Sequence, residues 1–208
     1  MSTQEIKDIL AHEAQAVLNI PVNDSFSKAL DIIYQQVHVK KGKVIMSGMG
    51  KAGQIAINMA TTFSSTGTPA VFLHPAEAQH GDLGVMQEND VMILISNSGK
   101  TREIVELVQL ARGLYPHVHI LVITGNVESP LSEDADVTIS TGNPKEVCAL
   151  GLTPTTSTTM MTVIGDILVV LMMKRIGFNN SDYAKRHHGG YLGHKSRSQA
   201  EGDMHKGQ

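Results

Sequence analysis

The chain has 208 residues, 17 basic against 20 acidic side chains for a net charge of −3, no Trp and only 4% aromatic residues. One hydrophobic core suits that length and no linker-like stretch divides it. The slightly acidic balance, without a basic run or an aromatic platform, argues against nucleic acid or an anionic membrane as a partner.

Residues 1–5 lack a basic stretch leading into an apolar core, so no secretory signal is expected. Ser2-Thr3-Gln4-Glu5 instead reads as a capping box for a helix with the apolar stripe Ile6, Ile9, Leu10, Val17 and Leu18. A second helix follows Asn23-Asp24, with Phe26, Ala29, Leu30, Ile33, Tyr34 and Val37 at helical spacing. Two helices therefore precede the first strand. From Lys43 onward strands alternate with helices: strand 44–47, helix 52–63, strands 70–73 and 91–95, helix 101–112, strands 118–123 and 137–139, and a long helix over 158–175. The strands are unbroken apolar runs, the pattern of a parallel sheet covered on both faces. The expected fold class is α/β, a three-layer sandwich around a parallel sheet of five strands. Residues 160–176 are apolar enough to raise a membrane span, but Thr162, Gly165 and Asp166 interrupt them, so a core or subunit-interface helix is expected. Residues 1–194 are read as a single domain, and 195–208 as a polar tail without periodicity, expected to be loose. The single cysteine, Cys148, cannot form an internal disulfide, which suits a reducing, cytoplasmic setting.

The first strand runs directly into Ser47-Gly48-Met49-Gly50-Lys51-Ala52-Gly53. Glycines there let the backbone turn tightly and approach an anion, while the free N–H groups of the next helix point at it. The spacing matches G-x-G-x-x-G, but a dinucleotide site also wants an acid at the end of the next strand, where His74-Pro75 stands. The turn alone suits a compact phosphorylated ligand modestly better than a dinucleotide, and Lys51 adds a mobile cation. Ligands of parallel sheets sit beyond the carboxyl ends of the strands, which draws in 74–82 and 96–103 as well. In the latter, Ser96, Ser98 and Thr101 open a helix. Any one of them could be only a helix cap; three together, opposite a glycine turn with Lys51, favour a phosphate pocket.

The motifs Ser47-Gly48-Met49-Gly50-Lys51-Ala52-Gly53, Ser64-Ser65-Thr66-Gly67-Thr68-Pro69, His80-Gly81-Asp82-Leu83-Gly84, Ile95-Ser96-Asn97-Ser98-Gly99, Gly151-Leu152-Thr153-Pro154-Thr155-Thr156-Ser157-Thr158 and Gly165-Asp166 occur in that order. Over residues 43–193 the chain resembles the sugar isomerase (SIS) domain, and within it the arabinose-5-phosphate isomerases. Two departures are local: His187-His188-Gly189-Gly190 replaces the usual His-Pro-Gly-Gly, and Lys100 stands where an acid is common. The resemblance implies interconversion of D-arabinose 5-phosphate and D-ribulose 5-phosphate through an enediol, feeding 3-deoxy-D-manno-octulosonate (Kdo) synthesis for lipopolysaccharide or capsule. Such a proton shuttle needs a base, donors for two oxygens and a phosphate clamp, and no cofactor is expected.

By resemblance, Ser47, Gly48, Ser96, Ser98 and Thr101 hold the phosphate and Lys51 lies beside the sugar. Glu146 is expected to be the base. His187 is expected to open the furanose ring, reaching in from a neighbouring subunit of a homo-oligomer, a tetramer by resemblance. His80 and Glu103 also match functional positions, although Glu103 lies in the first turn of a helix, where an acid is favoured in any case. Cys148 is expected to be a buried small apolar residue rather than a nucleophile. His80, His187 and His188 have no ligand spacing, so no metal is required, though the group is expected to take zinc adventitiously. Many relatives carry a C-terminal pair of CBS modules and none is expected here. Feedback is then expected to act on the SIS domain itself, with CMP-activated Kdo as its ligand. The competing readings are an isomerase of a hexulose or heptose phosphate and a non-catalytic sugar-phosphate sensor; the absence of a preceding helix-turn-helix pattern and the presence of Glu146 and His187 weigh against the sensor.

Overall fold

The unbroken apolar runs form the sheet. A computed structural model describes residues 2–206, with strands β1 (Val44–Gly48), β2 (Ala70–Phe72), β3 (Val91–Ile95), β4 (His119–Thr124) and β5 (Val137–Ser140). All neighbouring strands are parallel, in the order β2-β1-β3-β4-β5. Alternate residues of each strand serve opposite layers, as the two-residue period of a strand requires. Val44, Met46, Ile93, Ile95, Leu121 and Ile123 face one core, shared with α2 (Ser25–Ile33), α3 (Gly50–Ser65) and α7 (Thr156–Arg175). Ile45, Met92, Leu94, Ile120 and Val122 face the other, shared with α4 (Pro75–Ala78), α5 (Arg102–Leu114) and α6 (Pro130–Glu133). Both faces being covered explains why β1 and β3 contain no exposed position. The fold is thus α/β with a five-stranded parallel sheet between two helical layers.

Chain order and strand order part company at one place. The chain moves from β1 outward to β2 and then returns across β1 to β3, so the crossovers leave β1 and β3 in opposite directions. That reversal opens a crevice at the carboxyl ends of β1 and β3. The turn after β1 is built to be tight: a Cβ on Gly53 would lie 2.7 Å from the Gly48 carbonyl oxygen, and Gly50 has φ +59°. Part of the glycine pattern therefore serves the close packing of strand on helix rather than ligand contact.

The helix α1 (Thr3–Leu18) carries the expected capping box, with Ser2 Oγ accepting from Glu5 N–H and the Glu5 carboxylate returning to Ser2 N–H. It buries no residue fully, and Ile6, Ile9, Leu10 and Leu18 are all exposed. The second helix passes into a π-helical segment, Tyr34–Val39, before β1. The long α7 is apolar enough in length and composition to cross a membrane, yet half of its most apolar stretch is buried within the fold. After it come α8 (Asn180–Ala184) and α9 (Gly190–Lys206). The segment from residue 195, read from the sequence as a polar tail, is helical to Lys206, and Gly207 and Gln208 lie outside the described residues. Lys, Arg, Gln and Ala favour helix without an apolar stripe. The start of α9 is also pinned, since Gly193 and Ser196 are buried and the Arg197 guanidinium reaches the His187 and His188 carbonyls.

Candidate active site

At the carboxyl ends of β1 and β3 lies a cleft of about 320 Å³, walled by Met49, Lys51 and Ala52 after β1, residues 95–98 with Thr101 after β3, and Pro154, Ser157, Thr158 and Met161 at the start of α7. On the β3 side the hydroxyls form a small network. Ser96 Oγ and Thr101 Oγ1 are 2.9 Å apart, Ser96 Oγ accepts Gly99 N–H at 3.2 Å, and Ser98 Oγ accepts Lys100 N–H at 3.2 Å. Thr101 occupies the N-cap position of α5 but makes no side-chain capping bond. The Arg102 and Glu103 N–H groups therefore start α5 without a side-chain cap, while Ile104 N–H already donates to the Thr101 carbonyl at 3.1 Å; an uncapped helix start of this kind suits an anion. Gly99 has φ +63°, and a Cβ there would fall 2.0 Å from Ser129 Oγ, so the loop can hold this shape only with glycine. Lys51 is exposed on the facing wall and has no ion-pair partner among the described residues.

Glu146 sits beside this cleft, on a second concavity that shares Asn97 and Pro154 with it. Its Oε2 accepts Thr155 N–H at 2.7 Å, Thr155 Oγ1–H at 2.9 Å and Ser157 N–H at 3.3 Å. All three donors belong to the start of α7, whose positive dipole end favours an anion there. Burial is the largest single influence on this carboxyl and pushes it upward. The Ser157 hydroxyl, the Thr155 N–H and hydroxyl and the Ser157 N–H together outweigh burial and hold it below its ordinary value. The Ser157 hydroxyl favours the anion through proximity, because it makes no hydrogen bond of proper geometry; it is buried, unpartnered and on the wall of the cleft. With Oε2 occupied, Oε1 is the oxygen without a protein donor among the described residues. A carboxylate ionised at neutral pH and held by one oxygen can accept a proton at the other.

Two residues after Glu146, Cys148 is half-buried rather than buried. Its Sγ accepts Thr153 N–H at 3.2 Å and Leu152 N–H at 3.3 Å; the Thr153 N–H foremost, against a smaller opposing effect of burial, draws the thiol below its ordinary range. It shapes the turn leading to Pro154 rather than filling a core.

Several expected site residues lie elsewhere. Ser47 is fully buried and its hydroxyl donates to the Leu73 carbonyl at 2.6 Å, tying β1 to the end of β2. Gly48 ends β1, where its lack of a side chain lets α3 approach. Glu103, half-buried in the first turn of α5, and the exposed His80, beyond α4, are not on the cleft wall. His187 follows α8, stacked on the Tyr183 ring at 3.7 Å with Nδ1 donating to the Tyr183 carbonyl at 3.1 Å. Its neighbour Arg186 lies against α3 and β2 at the sheet edge. One chain therefore does not join His187 to Glu146. Nor does it assemble the expected zinc group from His80, His187 and His188: among the described residues no three His, Cys, Asp or Glu side chains are placed to share a metal ion. The start of α7 is a part of the site that sequence reasoning did not assign; its run of hydroxyls, residues 153–159, was the available signal.

A parallel sheet with a hydroxyl-lined cleft at its reversal point and a helix-capped carboxylate beside it has the layout of a ligand-binding α/β domain, and the chain belongs to the SIS domain family, whose profile matches residues 38–171. Arabinose 5-phosphate isomerases KdsD of Shigella flexneri and of Escherichia coli K12 are each 43% identical over 203 residues, 97% of this chain and 60% of the relative. The chain thus spans about three fifths of those relatives' length. Among solved structures, a Bacteroides fragilis NCTC 9343 protein named for phosphosugar isomerisation in capsule formation is 66% identical, with a TM-score of 0.89 over 90% of this chain and 98% of that one. The E. coli CFT073 protein c3406, solved in complex with arabinose 5-phosphate, is 32% identical, with a TM-score of 0.83 over 90% of this chain and all of that one.

Proposed function

We propose that this chain is a soluble aldose–ketose isomerase that interconverts D-arabinose 5-phosphate and D-ribulose 5-phosphate by proton transfer. The observation that carries the proposal is the placement of Glu146: its carboxylate is fixed by three α7 donors on Oε2, free on Oε1, and beside a cleft that presents hydroxyls and an uncapped helix start to a phosphate. Ser96, Ser98, Thr101 and the start of α5 bind the phosphate, which sets the sugar carbons between Lys51 and Glu146. In the open-chain aldose, Glu146 Oε1 takes the proton from C2. The electron pair of that bond closes the C1–C2 double bond and the C1 oxygen gains a proton, giving the enediol. Return of the proton to C1, with loss of the C2 hydroxyl proton, gives the ketose. The Lys51 ammonium stabilises whichever oxygen carries developing negative charge. Every step moves protons only, so the reaction calls for no hydride carrier or metal.

His187 is assigned to ring opening, and His80 and Glu103 to supporting roles, contributed across the interfaces of a homotetramer. The exposed apolar stripe of α1 supports such association, since residues of this kind are normally covered. The SIS relatives, one of them seen with arabinose 5-phosphate, support a phosphopentose substrate. Feedback by CMP-activated Kdo at the same cleft is part of the proposal, on the ground that its carboxylate and phosphodiester suit Lys51 and the Ser96–Thr101 hydroxyls; absence of competition with substrate would dismiss it. The lone thiol fits a cytoplasmic setting. A coupled assay on pentose, hexose and heptose phosphates tests the function. Turnover of arabinose 5-phosphate is expected. Preference for a hexulose or heptose phosphate would reassign the substrate, and binding without turnover on all of them would make the domain a sensor.

A further inference from the structure

The peptide units on either side of Glu146 are both tied to α1, a helix more than 130 residues away in sequence. On one side, the Lys145 carbonyl accepts from His12 Nε2 at 2.8 Å, which places the ring proton on that nitrogen. On the other, Val147 N–H donates to Thr156 Oγ1 at 3.2 Å, and Thr156 Oγ1 donates in turn to Glu13 Oε1 at 2.7 Å. Thr156 is fully buried, and Glu13 Oε2 is buried without a partner. A half-buried carboxylate with one oxygen unsatisfied costs folding free energy, and nothing in the packing of α1, which buries no apolar residue fully, calls for an acid there.

We propose that Glu13 is a positioning residue for Glu146. Through the Thr156 hydroxyl it fixes the Val147 amide, while the adjacent His12 fixes the Lys145 carbonyl, so that α1 brackets the backbone of Glu146 from both sides. The same threonine begins the helix whose neighbouring residues, Thr155 and Ser157, hold the Glu146 carboxylate. Backbone and side chain of the base are thereby referenced to one point, the first turn of α7. Such referencing matters because a displacement of about 1 Å at a reacting group can cost on the order of a hundredfold in rate. The inference deepens the proposed reaction and rests on Glu146 being its base.

The test is a set of four variants read by kinetics and by amide exchange at Val147. Glu13→Ala is expected to lower kcat roughly ten- to a hundredfold with KM within about twofold, since the phosphate clamp is untouched. Glu13→Gln keeps an oxygen that can accept from Thr156 and should recover most of that loss. Thr156→Val keeps the volume but removes the relay, and should match Glu13→Ala; the double variant should be no worse than either single one, as expected for residues acting in one chain of contacts. Val147 exchange should quicken in Glu13→Ala and Thr156→Val and return toward wild type in Glu13→Gln. Wild-type kcat in Glu13→Ala, additive losses in the double variant, or a Glu13→Gln loss as large as that of Glu13→Ala would overturn the positioning role. Unchanged Val147 exchange in Glu13→Ala would overturn the bracket whatever the role of Glu146. Full turnover by Glu146→Gln would instead overturn the base assignment, and with it the catalytic meaning of the bracket.

Discussion

Replacing Glu146 by Gln removes one ionisable oxygen and little else. The amide can still direct its oxygen at the three α7 donors that now meet Oε2, which turns its NH₂ toward the cleft where Oε1 stood. A proton acceptor becomes a donor. Three charge-assisted bonds become neutral ones of roughly half the strength, a stability cost moderated because the side chain is only half-buried. The chemical cost is far larger: loss of a general base is worth roughly 10²–10⁴-fold, or about 3–5 kcal/mol of barrier. We expect kcat for arabinose 5-phosphate to fall by at least that factor, with KM little changed because Ser96, Ser98 and Thr101 are untouched. Ketopentose formation followed over hours, with a thermal melt on the same sample, separates the two costs. Activity within a few-fold of wild type, on a folded variant, would remove Glu146 from the role.

The remaining predictions concern charge, the sheet and the assembly. Because the α7 donors hold the Glu146 carboxyl below its ordinary value, the base form exists throughout neutral pH; kcat/KM should decline on the acid side only as pH falls through that lowered pKa, and an acid limb near neutrality that vanishes in Glu146→Gln would contradict the geometry. The same sign applies to stability: the interaction is fully present above the unfolded-state pKa and fades as pH drops through the folded one. Ser47→Ala should cost about 1–3 kcal/mol of stability by stranding the Leu73 carbonyl, with KM nearly unchanged; a large rise in KM without a stability loss would return Ser47 to the phosphate site. If His187 serves a neighbouring subunit, mixing inactive His187→Ala and Glu146→Gln chains should restore part of the activity, and mixtures that stay inactive after verified subunit exchange would place both groups' work elsewhere.

The layers of this fold were legible because burial on both faces of a parallel sheet leaves a mark in one dimension: unbroken runs such as residues 91–95, and glycines where β1 meets α3. Local chemistry was legible for the same reason, since the capping box at Ser2 and Glu5 and the hydroxyl-opened α5 each involve neighbours in sequence. What could not be read was how hydroxyls of the same kind divide their labour. Ser47 and Ser96 both end apolar strands, yet Ser47 turns to the Leu73 carbonyl while Ser96 turns to Thr101, and only the strand order and register decide which way each points. The helical tail has no apolar stripe to announce it; contacts of Gly193 and Arg197 with His187 and His188 order its start. The grip on Glu146 was equally hidden. It joins residues 12 and 13 to residues 145, 147 and 156, and hydrogen bonds over such separations follow no sequence period, because they exist only once the sheet has brought α1 and α7 together.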